Sequence, residues 1–176
     1  MKNQLTMRWI GQGGYLFSDG KTSIVVDPYL SDVVNRVAGR PRMVRPPFQP
    51  EQLFCDAVVC THNHLDHVDI DSIPAMPKEQ ILFLAPSDAE ATLRACGVTN
   101  YKNFNVGEIV QLGDFTLHAV FADHTVPAIG MLLCHGARKI YLSGDTEYHE
   151  KLKELAIFDL DIAIICINGR LGNMNV

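Results

Sequence analysis

Four residues in one short run have the chemistry to hold a metal ion: His62, His64, Asp66 and His67, within Thr61-His62-Asn63-His64-Leu65-Asp66-His67. His62 and His64 stand two apart, which in an extended segment turns both side chains to the same side. Asp66 and His67 follow at once, as the chain turns. Neutral imidazole and carboxylate both bind first-row divalent cations. A catalytic cation keeps one coordination position open, and water held there loses a proton near neutral pH and becomes a nucleophile. Random placement of seven His and thirteen Asp yields such a run in about one chain in a thousand, so the spacing is a strong signal.

Two further candidates are His124, in Ala122-Asp123-His124-Thr125, and Asp145, in Ser143-Gly144-Asp145-Thr146. Both follow strand-like runs, where site residues usually sit on an α/β scaffold. The elements that must position them read as follows. Met7–Ile10, Tyr15–Phe17 and Ser23–Val26 are short apolar strands separated by glycines. Gly11-Gln12-Gly13-Gly14 leads into a strand, whereas a dinucleotide-binding loop opens a helix, so phosphate binding is not expected there. Pro28 to Pro50 holds five prolines with Arg36, Arg40, Arg42 and Arg45, and reads as a long loop. Asp56–Cys60 is a buried strand that delivers the histidine run. Ile81–Leu84 is a second buried strand, and Pro86–Cys96 a helix capped by Ser87 and closed by Gly97. Strands are expected at Ile109–Leu112, Phe115–Phe121, Gly130–Cys134 and Lys139–Leu142, with hairpin turns at Gly113-Asp114 and Gly136-Ala137. Glu147–Leu155 reads as helical and Asp161–Ile167 as a last buried strand. No repeat or interior domain boundary is visible, so 1–176 reads as one domain.

These pieces, with Val25-Val26-Asp27-Pro28, stand in an order that resembles the metallo-β-lactamase superfamily across nearly the whole chain. Within it, Trp9-Ile10-Gly11, Asp27-Pro28-Tyr29-Leu30 and Ser143-Gly144-Asp145-Thr146 look like the L-ascorbate-6-phosphate lactonase (UlaG-like) branch. The resemblance implies an α/β fold, an αββα sandwich with the metals at one edge. It implies that His62, His64 and His124 hold one metal, that Asp66 and His67 hold a second, and that Asp145 bridges the two. Asp27 would stand behind the histidines and orient them. Two departures matter. Many relatives carry a histidine where this chain has Gln12. Relatives also continue past the Asp161–Ile167 strand and supply a last histidine ligand, whereas no histidine follows His149 here, so the C-terminal part of the domain reads as missing.

The function expected is that of a metal-dependent hydrolase, using one or two divalent ions (zinc or manganese). A metal-bound hydroxide would attack an electrophilic carbonyl, such as that of a lactone or sugar-phosphate lactone, and Asp66 would orient the water or shuttle a proton. A phosphodiesterase using two metals, or a non-catalytic metal-binding module, are the alternatives. His149 and Arg170 are candidate substrate contacts. The loop arginines either form a solvated face or meet a phosphate or carboxylate of the substrate. His118 reads as packing or facing solvent within a strand, and His135 as solvated at a hairpin turn. A net charge of −5 argues against nucleic acid as partner. No apolar run reaches membrane-spanning length, and the N-terminus lacks a signal peptide's apolar stretch, so a cytoplasmic protein with no membrane partner is expected. Five cysteines without a C-x-x-C pair read as reduced thiols packed as small hydrophobes. An exposed sheet left by a missing segment would favour a homo-oligomer.

Overall fold

The structure is a computed structural model that describes residues 4–167. The chain forms two compact units, one ending at Asn103 and the other beginning at Phe104, and each holds one sheet.

The first unit carries a six-stranded sheet in sequential order: β1 (Thr6–Gly11), β2 (Gly14–Ser18), β3 (Ser23–Val26), β4 (Ala57–Val59), β5 (Leu82–Ala85) and β6 (Tyr101–Asn103). β1, β2 and β3 pair antiparallel, while β3 through β6 pair parallel. β4 has a partner on both sides and is wholly buried, which its unbroken apolar run requires. Around it lie Phe17, Ile24, Phe83 and Leu84, all fully buried. At Gly14 a Cβ would lie 2.8 Å from Ile10 Cγ1 and 2.9 Å from the Asp27 carbonyl oxygen, so only glycine lets the β1–β2 turn come this close to the end of β3.

The expected loop from Pro28 to Pro50 contains a helix, α1 (Val33–Ala38), closed by Gly39 in the left-handed conformation with its N–H on the Asn35 carbonyl. Helix α2 (Glu90–Ala95) is shorter than expected. Ser87 opens a 3-10 turn, Ser87–Ala89, and neither segment carries a side-chain cap bond. β6 was not anticipated, because Tyr-Lys-Asn is a polar edge strand with no apolar alternation.

The second unit carries a five-stranded sheet, ordered β11-β10-β9-β8-β7: β7 (Ile109–Leu112), β8 (Phe115–Phe121), β9 (Ile129–His135), β10 (Arg138–Leu142) and β11 (Ile162–Ile164). β7 to β10 form an antiparallel meander, and β11 adds parallel to β10. The segment read as the Glu147–Leu155 helix is a 3-10 stretch, Glu150–Phe158. The last strand is not buried: Ile162, Ile165 and Ile167 are exposed, because β11 is an edge strand paired on one side only. Among the described residues no helix is long and apolar enough to cross a membrane, and no disulfide forms.

Candidate functional site

In the first unit, three adjacent parallel strands end side by side. Asp27 follows β3, the histidine run follows β4, and Asp88 follows β5. The carboxyl ends of parallel strands are the usual ligand edge of an α/β sheet. Asp27 and His62 are buried, at 2% and 0% exposure, so each polar atom there needs a partner.

Asp27 supplies most of them. Its backbone takes a positive φ of 46°, and its carboxylate accepts the Thr61 N–H at 2.7 Å and the Thr61 hydroxyl at 2.8 Å. The same Oδ2 lies 2.9 Å from His67 Nδ1. Thr61 Oγ1 in turn lies 3.1 Å from His62 Nδ1 and 3.2 Å from His67 Nδ1. A hydroxyl whose proton goes to a carboxylate has only lone pairs left, so both rings present Nδ1–H toward Thr61 and Asp27. Their Nε2 atoms then carry the lone pairs.

Those lone pairs face other candidate ligands. His62 Nε2 stands 3.0 Å from His64 Nδ1. His67 Nε2 stands 3.8 Å from Asp66 Oδ2. Both separations fall within the span of two bonds of about 2.0–2.2 Å from donor to cation. The donor set therefore fits a divalent first-row cation. Asp66 is partly exposed, with 26% of its side chain open to solvent.

Two neighbours constrain the chemistry. Cys60, directly before Thr61, is fully buried, and burial raises its thiol well above the ordinary value, so it stays protonated and inert. Burial also raises the Asp88 carboxyl, against the lowering effect of two backbone N–H bonds and His64.

In the second unit His124 lies in the loop after β8 and Asp145 in the loop after β10, both half-buried. The two loops are stitched together. Asp123 N–H donates to Thr146 Oγ1 at 2.8 Å, and Glu147 N–H donates to the Asp123 carbonyl at 2.7 Å. Thr146 is fully buried. His149 caps the 3-10 stretch, its Nδ1 accepting the Lys151 N–H at 3.1 Å, with its ring centroid 4.9 Å from that of Phe121. His135 packs on Phe115 and His118 on Phe158. Arg170 lies outside the described residues.

Two loop arginines already have structural work. Arg36 forms a two-bond pair with Asp71, and Arg42 donates to the carbonyls of Tyr29, Ser31 and Val44 while its guanidinium stacks on the Tyr29 ring. Arg40 and Arg45 are exposed. Sequence reasoning passed over Thr61 and Asp69. Asp69 is fully buried and its carboxylate accepts from the Leu30, Ser31, Asp71 and Ser72 backbones and from the Ser31 and Ser72 hydroxyls, tying the start of the Arg loop to the segment after His67. An acidic residue two positions past a histidine run was the only available signal.

The profile of the Beta-lactamase superfamily domain matches residues 22–170. A UPF0173 protein of Pyrococcus furiosus is 25% identical over 92% of this chain and 70% of its own length. A UPF0173 metal-dependent hydrolase of Thermoplasma acidophilum is 28% identical over 85% of this chain and 65% of its own. Among solved structures, a protein of Veillonella parvula described as a possible metal-dependent hydrolase is 21% identical, with a TM-score of 0.79 over 98% of this chain and 76% of that one.

Proposed function

The chain belongs to the family of the Beta-lactamase superfamily domain, and on that premise we propose that it is a metal-dependent hydrolase of a small molecule with an electrophilic carbonyl, first of all a lactone. The observation that carries this reading is the orientation of His62 and His67, whose Nδ1 edges are held by Thr61 and Asp27 so that both Nε2 atoms face His64 and Asp66. The named T. acidophilum relative adds weight.

In this proposal His62, His64 and His124 would hold one divalent cation and Asp66 and His67 a second, with Asp145 as a further ligand. His124 and Asp145 enter from the family pattern and from their strand-end positions. When bound, the cation supplies Lewis acidity, making water nucleophilic near pH 7 and polarising the substrate carbonyl. Asp66 accepts the proton of the attacking water and returns it to the leaving alkoxide. Asp27 keeps His67 in one tautomer throughout. Buried Cys60 takes no part, so water is the nucleophile. His149, with Nδ1 committed to its cap, offers Nε2 to the substrate, and Arg170 is a second contact. An anionic substrate group would meet Arg45 beside a cleft of about 380 Å³ that Arg42 and Met43 also line.

The test is metal analysis of the purified protein together with turnover of a lactone panel beside bis(p-nitrophenyl) phosphate. Lactone hydrolysis that is lost on chelation and falls at least about 100-fold in Asp66→Ala supports the reading. Turnover of the phosphodiester alone would replace it with a phosphodiesterase. Tight metal binding without turnover of either would leave a non-catalytic metal-binding module.

A further inference from the structure

The β1–β2 turn holds a residue whose backbone and side chain pull in different directions. Gln12 has φ +51°, in the left-handed region, although it stands among Gly11, Gly13 and Gly14. A glycine there would adopt this conformation without strain. Two bonds hold the strained residue. The Trp9 indole Nε1 donates to the Gln12 carbonyl at 2.9 Å, which fixes the turn. The Gln12 side-chain Nε2 donates to Asp66 Oδ2 at 3.4 Å, across 54 positions of sequence. That oxygen is the one 3.8 Å from His67 Nε2. The turn also crosses the His67 ring, since a Cβ on Gly13 would lie 3.6 Å from His67 Cε1.

We propose that Gln12 is a positioning residue: its amide clasps Asp66 Oδ2 and holds the carboxylate toward His67 Nε2, and the turn tolerates backbone strain to present that amide. The inference rests on the reading of Asp66 as the proton acceptor. A neutral amide suits the task. It donates to the carboxylate without bringing a positive charge next to a cation site, and it leaves the second carboxylate oxygen uncovered. A lysine or arginine would compete with the cation for Asp66.

Gln12→Gly separates the two pulls, because it relieves the backbone and removes the amide. The expected result is an unchanged or higher melting temperature in the metal-free protein, and a kcat at least ten-fold lower with KM within two-fold. Gln12→Met keeps the strain and side-chain length but not the amide donor. It should match Gln12→Gly in kcat and melt no higher than the parent chain. In the Asp66→Ala background, Gln12→Gly should lower kcat no further. A crystal structure of metal-free Gln12→Gly should show Asp66 turned away from His67 Nε2. Gln12→Gly with full kcat, while Asp66→Ala is impaired, overturns the proposal. An Asp66 rotamer unchanged by Gln12→Gly overturns it as well, and this readout needs no substrate. Asp66→Ala with full kcat overturns the Asp66 reading instead.

Discussion

The strand end that carries the histidine run and the strand ends that carry His124 and Asp145 are braced in different ways. Behind His62 and His67 the braces are side chains. The Asp27 carboxylate and the Thr61 hydroxyl hold ring nitrogens from below, and Asp69 gathers six donors beneath the loop. In the second unit the braces that tie the two loops act on the loop backbone, from Asp123 N–H to the Thr146 hydroxyl and from Glu147 N–H to the Asp123 carbonyl. The difference follows from topology. Parallel neighbours end at one edge, so β3 can lend an aspartate to the exit of β4. An antiparallel meander sends alternate strands to opposite edges, and the loops after β8 and β10 meet as loops. A brace on a ring nitrogen fixes the ring's tautomer and angle, whereas a brace on a loop N–H fixes where the loop lies.

Asp69→Ala should show the largest effect. Six donors lose their acceptor at a fully buried site, and a fall in unfolding free energy of at least about 3 kcal/mol is expected by urea titration. A loss under 1 kcal/mol would remove Asp69 from the brace. Asp27→Asn comes next. Asparagine tolerates positive φ, so the backbone is spared, but its NH₂ must face a donor of Thr61 or His67. Zinc titration by calorimetry should show an affinity about 10–100-fold lower. Thr146→Val removes the acceptor of the Asp123 N–H and should lower stability by about 1–3 kcal/mol, with a smaller change in zinc affinity than Asp27→Asn. Equal losses of affinity in the two variants would erase the distinction between bracing a ring and bracing a loop backbone.

The pH arm is weaker still. Burial pushes the Cys55 thiol up to about 12, from an ordinary 9.0. The folded state therefore holds this proton more tightly than the unfolded chain. Its contribution is complete below pH 9 and is lost as pH rises from about 9 to 12, with a limiting slope of about 1.4 kcal/mol per pH unit. Cys55→Ala should flatten that alkaline slope in urea titrations. The smallest effect belongs to the edge of the second sheet. Ile165 is exposed, and Ile165→Ser should change stability by no more than about 0.5 kcal/mol.

What the sequence revealed and what it hid divide along physical lines. β3, β7 and β8 stand where their apolar runs place them, because burial on one or both faces writes itself into hydropathy. α1 was hidden because its six residues lie within a proline- and arginine-rich stretch, although Gly39 marks its end. Exposed β11 was misread because an unbroken apolar run looks the same whether or not something covers it. The histidine run announced itself through residue type and spacing. Thr61, Asp69 and Gln12 did not, since their partners are polar atoms as much as 54 positions away, and no local pattern records such pairings.

The strand connections also set the order in which the molecule assembles. β7 to β10 are sequence neighbours joined by tight turns at Gly113 and Gly136 and by a short loop between Phe121 and Ile129, so their closure is entropically cheap. β4 must instead find Val26 and Leu84 through long crossovers, a slow search. Refolding should protect β8 and β9 amides from hydrogen exchange first and complete the β4 edge last. Cys60, sealed in the finished first sheet, then serves as an internal clock. Its thiol stays open to alkylation through the early phase and closes only when the platform beneath the histidines forms.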